Sequence, residues 1–132
     1  MFTDNSKPIY LQIADRISDQ ILAGEFADGD RLPSVREYAA KVQVNPNTVM
    51  RTYDSLAADA IIFNRRGIGY FVADGAARAI RSLRASQFLR DELPDLFRRL
   101  NLLGLKPDEL ANLYSNYLSV NAQQCKSQHA SS

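Results

Sequence analysis

Residues 34–59, SVREYAAKVQVNPNTVMRTYDSLAAD, decide the fold of this chain. The pattern predicts two short helices separated by a three-residue turn. Ser34 with Glu37 three residues later fits a capping box that starts the first helix. Asn45 fits the N-cap of the second helix, and Pro46 suits its first position. Two short helices joined by a tight turn form a helix-turn-helix, whose second helix is shaped for the major groove of DNA.

A hairpin motif follows at residues 61–72. Two strand-like runs, Ile61-Ile62-Phe63 and Tyr70-Phe71-Val72, flank the basic glycine turn Arg65-Arg66-Gly67-Ile68-Gly69. A basic hairpin of this kind is typical of the wing attached to many helix-turn-helix modules. In the preceding loop, Arg31-Leu32 is predicted to form a short strand that pairs with the wing.

Amphipathic helices flank this central module. Isoleucines at four-residue intervals from Ile9 to Ile21 predict a first helix with one apolar face. After residue 74 the pattern is helical again, with a kink or a new start at Pro94 and a stop at Gly104. We therefore predict a mainly α fold with a small β-hairpin. A winged helix-turn-helix domain covers residues 1–74, a short C-terminal helical dimerisation domain covers 75–119, and a polar, disordered tail covers 120–132.

Charge is spread unevenly along the chain, whose formal net charge is +1. Residues 1–75 hold eight Lys/Arg and ten Asp/Glu, a balance of −2, whereas residues 76–132 hold eight and five, a balance of +3. Because attraction to phosphate is local and screened beyond about 10 Å, the placement of charge matters more than its total. The acidic residues concentrate in residues 15–30. The motif and wing carry the bases, and we predict one basic face containing Arg36, Lys41, Arg51, Arg65 and Arg66.

The residue types that most enzymes and metal sites require are scarce. Cys125 and His129 are the only cysteine and histidine, and both lie in the polar tail. A single cysteine forms no intrachain disulfide, and neither residue is placed to act as a catalytic base or in a metal cluster. We predict no enzyme activity and no cofactor. The sequence has no apolar run of about 18 residues and no signal-peptide pattern at its start, so we expect a cytoplasmic protein without membrane partners.

The stretch from Pro8 to Val72 resembles the GntR family of bacterial transcription regulators. The resemblance is carried, in order, by PIYLQIADRISDQILAGEF, DRLPSVREYAAKVQVNPNTVMRTYDSL and RRGIGYFV. Members combine an N-terminal winged helix-turn-helix with a variable C-terminal domain. The short helical C-terminal part, together with Asn45-Pro46-Asn47-Thr48-Val49, is similar to the YtrA subfamily, which has a small helical dimerisation domain.

The resemblance implies DNA contacts from both helices of the motif and from the wing tip. They fall on Arg36, Asn45, Asn47, Thr48, Arg66 and Gly67. The chemistry of the side chains adds Arg51, which can bind guanine or a phosphate, and Arg65, which suits a narrow minor groove. The chain departs from many relatives, which have arginine at the positions of Pro46 and Met50 and glycine at that of Ala60.

The C-terminal helices carry more apolar surface than a lone helical hairpin can bury, which predicts a homodimer. The predicted dimerisation residues are Leu93, Leu96, Phe97, Leu100, Leu103, Leu110, Leu113, Tyr114 and Tyr117. The alternative is that these helices pack on their own winged domain.

The sequence therefore predicts a dimeric repressor that binds double-stranded DNA at a palindromic operator, and the resemblance implies that its target is a transporter-type operon. A small-molecule effector, a metal or no ligand at all are left open as its signal. The alternative function is a winged-helix adaptor that binds protein and has no DNA contact.

Overall fold

Eight helices and strands make up the part of the chain described by the computed structural model, residues 7–130, with side chains described for residues 7–122. Their order confirms the predicted mainly α fold with a small β-hairpin and a winged helix-turn-helix. The elements are α1 (Ile9–Leu22), α2 (Val35–Val42), α3 (Pro46–Ala58), β1 (Ile62–Arg65), β2 (Gly69–Val72), α4 (Ala76–Asp91), α5 (Leu93–Leu103) and α6 (Pro107–Ala130).

Both helix starts of the motif are capped by the predicted side chains. Ser34 Oγ accepts a hydrogen bond of 3.1 Å from the backbone N–H of Glu37, and Asn45 Oδ1 accepts one of 2.8 Å from that of Asn47. Helix α2 ends at Val42, and the next residue, Gln43, takes the left-handed conformation with φ of 58°. The turn between the helices is thus closed by local chemistry, which sets where α3 begins.

The core of the winged helix-turn-helix is formed by one face each of α1, α2 and α3 together with the inner face of the wing. Val49, Tyr53 and Leu56 of α3 are buried, as their spacing predicts. Thr52 is also fully buried, because α1 packs against α3 at this point and Thr52 Oγ1 lies 2.8 Å from the carbonyl oxygen of Tyr10. The other buried apolar residues are Ile13, Ala14, Ile17, Ile21, Leu32, Tyr38, Ala39, Ile61, Ile62, Val72, Ala76 and Ile80.

The wing is a two-stranded antiparallel sheet extended by one short segment. Strands β1 and β2 pair from Ile62 with Val72 to Arg65 with Gly69. Arg31 forms a β-bridge with Phe71, and the N–H of the next residue, Leu32, donates a 2.9 Å hydrogen bond to the carbonyl of Tyr70. The predicted pairing of Arg31-Leu32 with the wing is therefore confirmed.

Two buried tyrosines of the motif differ in how their hydroxyl groups are satisfied. Tyr53 OH donates a 2.7 Å hydrogen bond to the carbonyl of Pro33, which links α3 to the residue before the α2 cap. Tyr38 OH is buried and has no hydrogen-bond partner within residues 7–122. Burial also raises the pKa of both phenols, so both remain neutral donors at physiological pH.

We expect Tyr53→Phe to lower the free energy of unfolding by about 1–2 kcal/mol, because it removes a buried hydrogen bond. Tyr38→Phe, the matched control, should leave stability unchanged or raise it, because its hydroxyl is buried without a bond. Urea unfolding followed by circular dichroism at one protein concentration measures both. Equal losses in the two variants would contradict this assignment.

Ala60 occupies a backbone conformation that favours glycine. It follows α3 with φ of 61°, where the Cβ of an L-residue is crowded. Ala60→Gly should raise the free energy of unfolding by about 0.5–1.5 kcal/mol. Ala58→Gly, two residues earlier in right-handed helix, should lower it by up to about 1 kcal/mol. Thermal unfolding of the two variants measures both changes. A lower stability in both variants would contradict the strain assigned to Ala60.

The chain divides into two compact units within α4, between Ser86 and Gln87, rather than at residue 74 as the sequence suggested. The physical reason is that the start of α4 belongs to the winged module. Ala76 and Ile80 are buried in the core of that module. Arg84 also forms a 2.8 Å salt bridge with Asp19 of α1.

In the second unit, α5 starts afresh at Leu93, as predicted from Pro94, and ends at Gly104, which is left-handed with φ of 75°. Helix α6 continues through Ala130, past residue 120, where the sequence predicts the start of a polar, disordered tail. No glycine or proline occurs after Pro107, so nothing in the sequence stops the helix. Residues 131–132 lie outside the described residues, as do the side chains of Cys125 and His129. Among the described residues, no helix is both long enough and apolar enough to cross a membrane.

Candidate nucleic-acid interface

The N-terminus of α3 presents polar groups to solvent. Asn45 and Asn47 are exposed, and Thr48 is half-buried. Because Asn45 Oδ1 is used by the cap, its amide nitrogen is the group left to donate outward. The first N–H groups of a helix and its dipole favour an anion at this end. The start of α3 therefore suits a phosphate or a base edge.

Arg51 lies one helical turn after Asn47, so the two side chains leave the same side of α3. Its guanidinium carbon is 4.2 Å from the centroid of the Tyr10 ring in α1. Such a cation–π contact restrains a long side chain while leaving its N–H donors available. Arg51 is exposed and forms no ion pair among the described side chains. Arg51 is therefore a cation restrained by the Tyr10 ring, with no carboxylate partner among the described side chains.

The other predicted cations of the motif are likewise exposed. Arg36 lies on α2 and Lys41 in its last turn. An arginine beside Glu37 can form a surface ion pair instead of binding DNA, but Arg36 forms no ion pair within residues 7–122.

The wing tip brings Arg65, Arg66 and Gly67 together in one tight turn. The N–H of Ile68 donates a 2.9 Å hydrogen bond to the carbonyl of Arg65, and Gly67 takes φ of 78°. A side chain at Gly67 would be strained in this conformation. Arg65 also lies against the wing, with its guanidinium carbon 5.8 Å from the centroid of the Phe71 ring. The tip thus offers two arginines on a narrow, closely turned backbone.

Contacts between α3 and the wing tie these two parts of the interface together. The Tyr70 ring packs edge-on against Tyr53, with centroids 4.9 Å apart. The Tyr70 hydroxyl donates a weak 3.9 Å hydrogen bond to Met50 Sδ. The wing is therefore positioned relative to α3 by side chains that are not themselves among the predicted contacts.

Carboxylates of the first helix and following loop are used within the fold. Asp15 pairs with Lys7, and Asp19 pairs with Arg84. Asp28 accepts a 2.9 Å hydrogen bond from the N–H of Gly75, just before α4, and Asp30 caps its own loop. Four carboxylates of α1 and the following loop thus have structural partners, while the cations of the motif form no ion pairs among the described residues.

The predicted dimerisation residues form a surface that their own unit does not cover. None of the nine is buried, and Phe97, Leu103 and Leu113 are each more than half exposed. Three of the nine border a cavity of about 240 Å³ between α5 and α6. It is lined by Phe97, Leu100, Asn101, Leu105, Lys106, Pro107 and Leu110. We call the nine residues the C-terminal apolar face.

One cation of the wing was missed by the sequence reasoning. Arg31 is exposed, and its side chain lies against Gly69 of β2. The signal was available, because the predicted pairing of Arg31-Leu32 with the wing already placed Arg31 beside the hairpin.

Comparison with known proteins relates the chain to bacterial transcription regulators. Residues 9–72 match the model of the bacterial regulatory proteins of the gntR family. The transcriptional regulator YhcF of Bacillus subtilis is 42% identical over 106 residues, which cover 80% of this chain and 86% of YhcF. This chain belongs to the GntR family.

Two further relatives agree with a GntR protein of the short, YtrA-like kind. The transcriptional repressor YtrA of B. subtilis is 32% identical over 106 residues, covering 80% of this chain and 81% of YtrA. The structure of a GntR-family putative transcriptional regulator from Bacteroides thetaiotaomicron matches with a TM-score of 0.77 at 48% identity, over 86% of this chain and 99% of the other. The protein is therefore a transcriptional regulator with a DNA-binding helix-turn-helix, and its relatives are regulators rather than enzymes.

Proposed function

We propose that this GntR regulator is a dimeric repressor that binds a palindromic operator through α2, the start of α3 and the wing. One observation carries the proposal. The exposed cations of the motif and wing have no carboxylate partners among the described side chains, whereas acidic groups of α1 and the following loop are engaged. Uncompensated cations on a helix-turn-helix are what phosphate binding requires.

Each predicted residue has a role that its position supports. Asn47 is placed to pair with adenine, and Arg51 with guanine O6 and N7 or with a phosphate. Asn45 and Thr48 donate hydrogen bonds to the DNA backbone beside the start of α3, and Arg36 approaches the duplex from α2. Arg65 and Arg66 suit the narrow minor groove of an A·T tract, and Gly67 lets the backbone approach closely.

Dimerisation is supported by the C-terminal apolar face. Its leucines and aromatics remain exposed within their own unit, and a two-fold partner would bury them. A symmetric dimer also doubles the number of DNA contacts and matches a palindromic site.

Repression is supported by similarity to YtrA, whose name describes a repressor. By the same resemblance we propose a transporter-type operon as the target. Chromosomal DNA as the partner places the protein in the cytoplasm. An effector, if there is one, is best accommodated at the cavity between α5 and α6, which belongs to the proposed dimer surface.

Selection of bound fragments from the source genome tests the proposal. The purified protein should enrich an inverted repeat whose half-sites are separated by about 10 base pairs or a multiple of that spacing. Enrichment of no DNA would favour the adaptor function, and enrichment of sites without two-fold symmetry would contradict the dimeric mode.

A further inference from the structure

The outer face of the wing carries an arginine that the contacts proposed above do not use. Arg31 forms a β-bridge with Phe71 of β2, and Phe71 in turn pairs with Phe63 of β1. Side chains of directly paired residues in antiparallel strands lie on the same face of the sheet. Arg31 therefore shares the outward face with these two phenylalanines, opposite the buried Ile62 and Val72.

Gly69 makes room for the guanidinium of Arg31 on this face. Arg31 Nε lies 3.2 Å, and its Nη2 3.5 Å, from the point where a Cβ on Gly69 would stand. Gly69 is paired with Arg65 in the hairpin register. The Arg31 head group thus lies beside the space of the missing side chain at Gly69, the β2 residue paired with Arg65, so both arginines lie on the outward face of the wing around Gly69.

Aromatic rings lie beside Arg65 on this face. The Phe63 and Phe71 rings stack with centroids 5.7 Å apart, and Arg65 lies 5.8 Å from the Phe71 centroid. A cation held against a ring loses less side-chain entropy when it binds a ligand.

Neither arginine is neutralised by the protein. Within residues 7–122, no carboxylate lies within ion-pair distance of Arg31 or Arg65. Two like charges placed together repel each other, and an anion between them removes that cost. A phosphate oxygen pair matches the forked donors of guanidinium groups better than a single point charge does.

We propose that Arg31 and Arg65 form a phosphate clamp that holds one backbone phosphate of the operator beside the wing. The inference rests on the proposed DNA contact of the wing, adds Arg31 as a new anchoring residue, and moves Arg65 from the groove to the phosphate, which leaves Arg66 to enter the minor groove. A phosphate contact carries no base information, so the clamp sets how deeply and in what register the wing tip enters the minor groove.

Arg31→Gln and Arg65→Gln, singly and together, test the clamp on the operator duplex recovered by selection. Each single variant should bind about tenfold to a hundredfold more weakly, equally on operators with altered bases at the wing site. The losses should be less than additive in the double variant, because both arginines bind one phosphate. Arg78→Gln, on the exposed side of α4 and without an ion pair among the described residues, is the control and should change affinity less than about twofold.

Operator duplexes with single methylphosphonate substitutions identify the phosphate. One position in each half-site should weaken binding by the wild type and leave the double variant unaffected. The clamp would be overturned if the Arg31→Gln variant bound the operator as tightly as the wild type does. It would also be overturned if no methylphosphonate near the wing weakened binding by the wild type, which is the result expected if the two arginines bind only free phosphate. Failure of the wild type to select any DNA would instead refute the proposed function.

Discussion

Replacing both Arg51 and Arg66 with alanine is expected to abolish specific operator binding. Arg51 acts from α3 and Arg66 from the wing, so the variant removes the major-groove and minor-groove contacts together. A good base contact contributes about 1–3 kcal/mol, and a dimer loses two copies of each. The affinity should therefore fall at least about 100-fold, and the dependence of affinity on salt should become shallower. Fluorescence anisotropy at several salt concentrations measures both.

The fold should survive this double substitution. Arg66 has no partner among the described side chains, and the loss of the Arg51–Tyr10 contact costs about 0.5–1 kcal/mol. Arg78→Ala combined with Arg81→Ala removes the same charge from exposed positions of α4 and should bind nearly as the wild type does. If both double variants bind alike, the interface is not where we place it.

Placing a carboxylate at Leu113 is expected to convert the proposed dimer to a monomer. Leu113 is 61% exposed within its own chain, so aspartate there is solvated in the monomer and leaves its fold intact. In the dimer the same carboxylate would be buried without a partner in both subunits, which costs several kcal/mol. The dissociation constant of the dimer should rise on the order of 1,000-fold, and operator affinity should fall with it.

Asn112→Asp provides the matched control, because it adds the same charge on the opposite side of α6. Sedimentation at micromolar concentration should show monomer for Leu113→Asp and dimer for Asn112→Asp, both with wild-type helical content. A Leu113→Asp protein that remains dimeric would move the subunit contact away from the C-terminal apolar face.

Features governed by neighbouring residues could be predicted from the sequence. The caps at Ser34 and Asn45 are formed by groups two and three residues away, so the helix starts follow from local chemistry. The glycine turn at residues 65–69 likewise predicts the hairpin. The family resemblance, carried by an ordered set of such local motifs, is confirmed by the comparison with known regulators.

Features governed by distant contacts could not be predicted in the same way. Thr52 is buried because α1 packs on α3, 42 residues from the Tyr10 carbonyl that it approaches. The unit boundary falls inside α4 because Ala76 and Ile80 complete a core begun by α1. Helix α6 extends past residue 120 although its composition is that of a polar tail.

The candidate interface likewise has features that could be predicted from the sequence and features that could not. The sequence named the cations of the motif, and the described side chains leave them without ion pairs. It did not reveal that Arg51 lies on Tyr10 or that Arg31 fills the space beside Gly69, because both depend on how separate elements meet.

The most direct test of the account is an NMR titration of the full chain with its selected operator duplex. We predict that amide shifts will concentrate at Arg36, at residues 45–51 and at residues 65–69, while the acidic side of α1 around Asp15 and Asp19 stays unchanged. Shifts centred on α1, or confined to α5 and α6, would contradict the claim that the uncompensated cations of the motif and wing face the DNA.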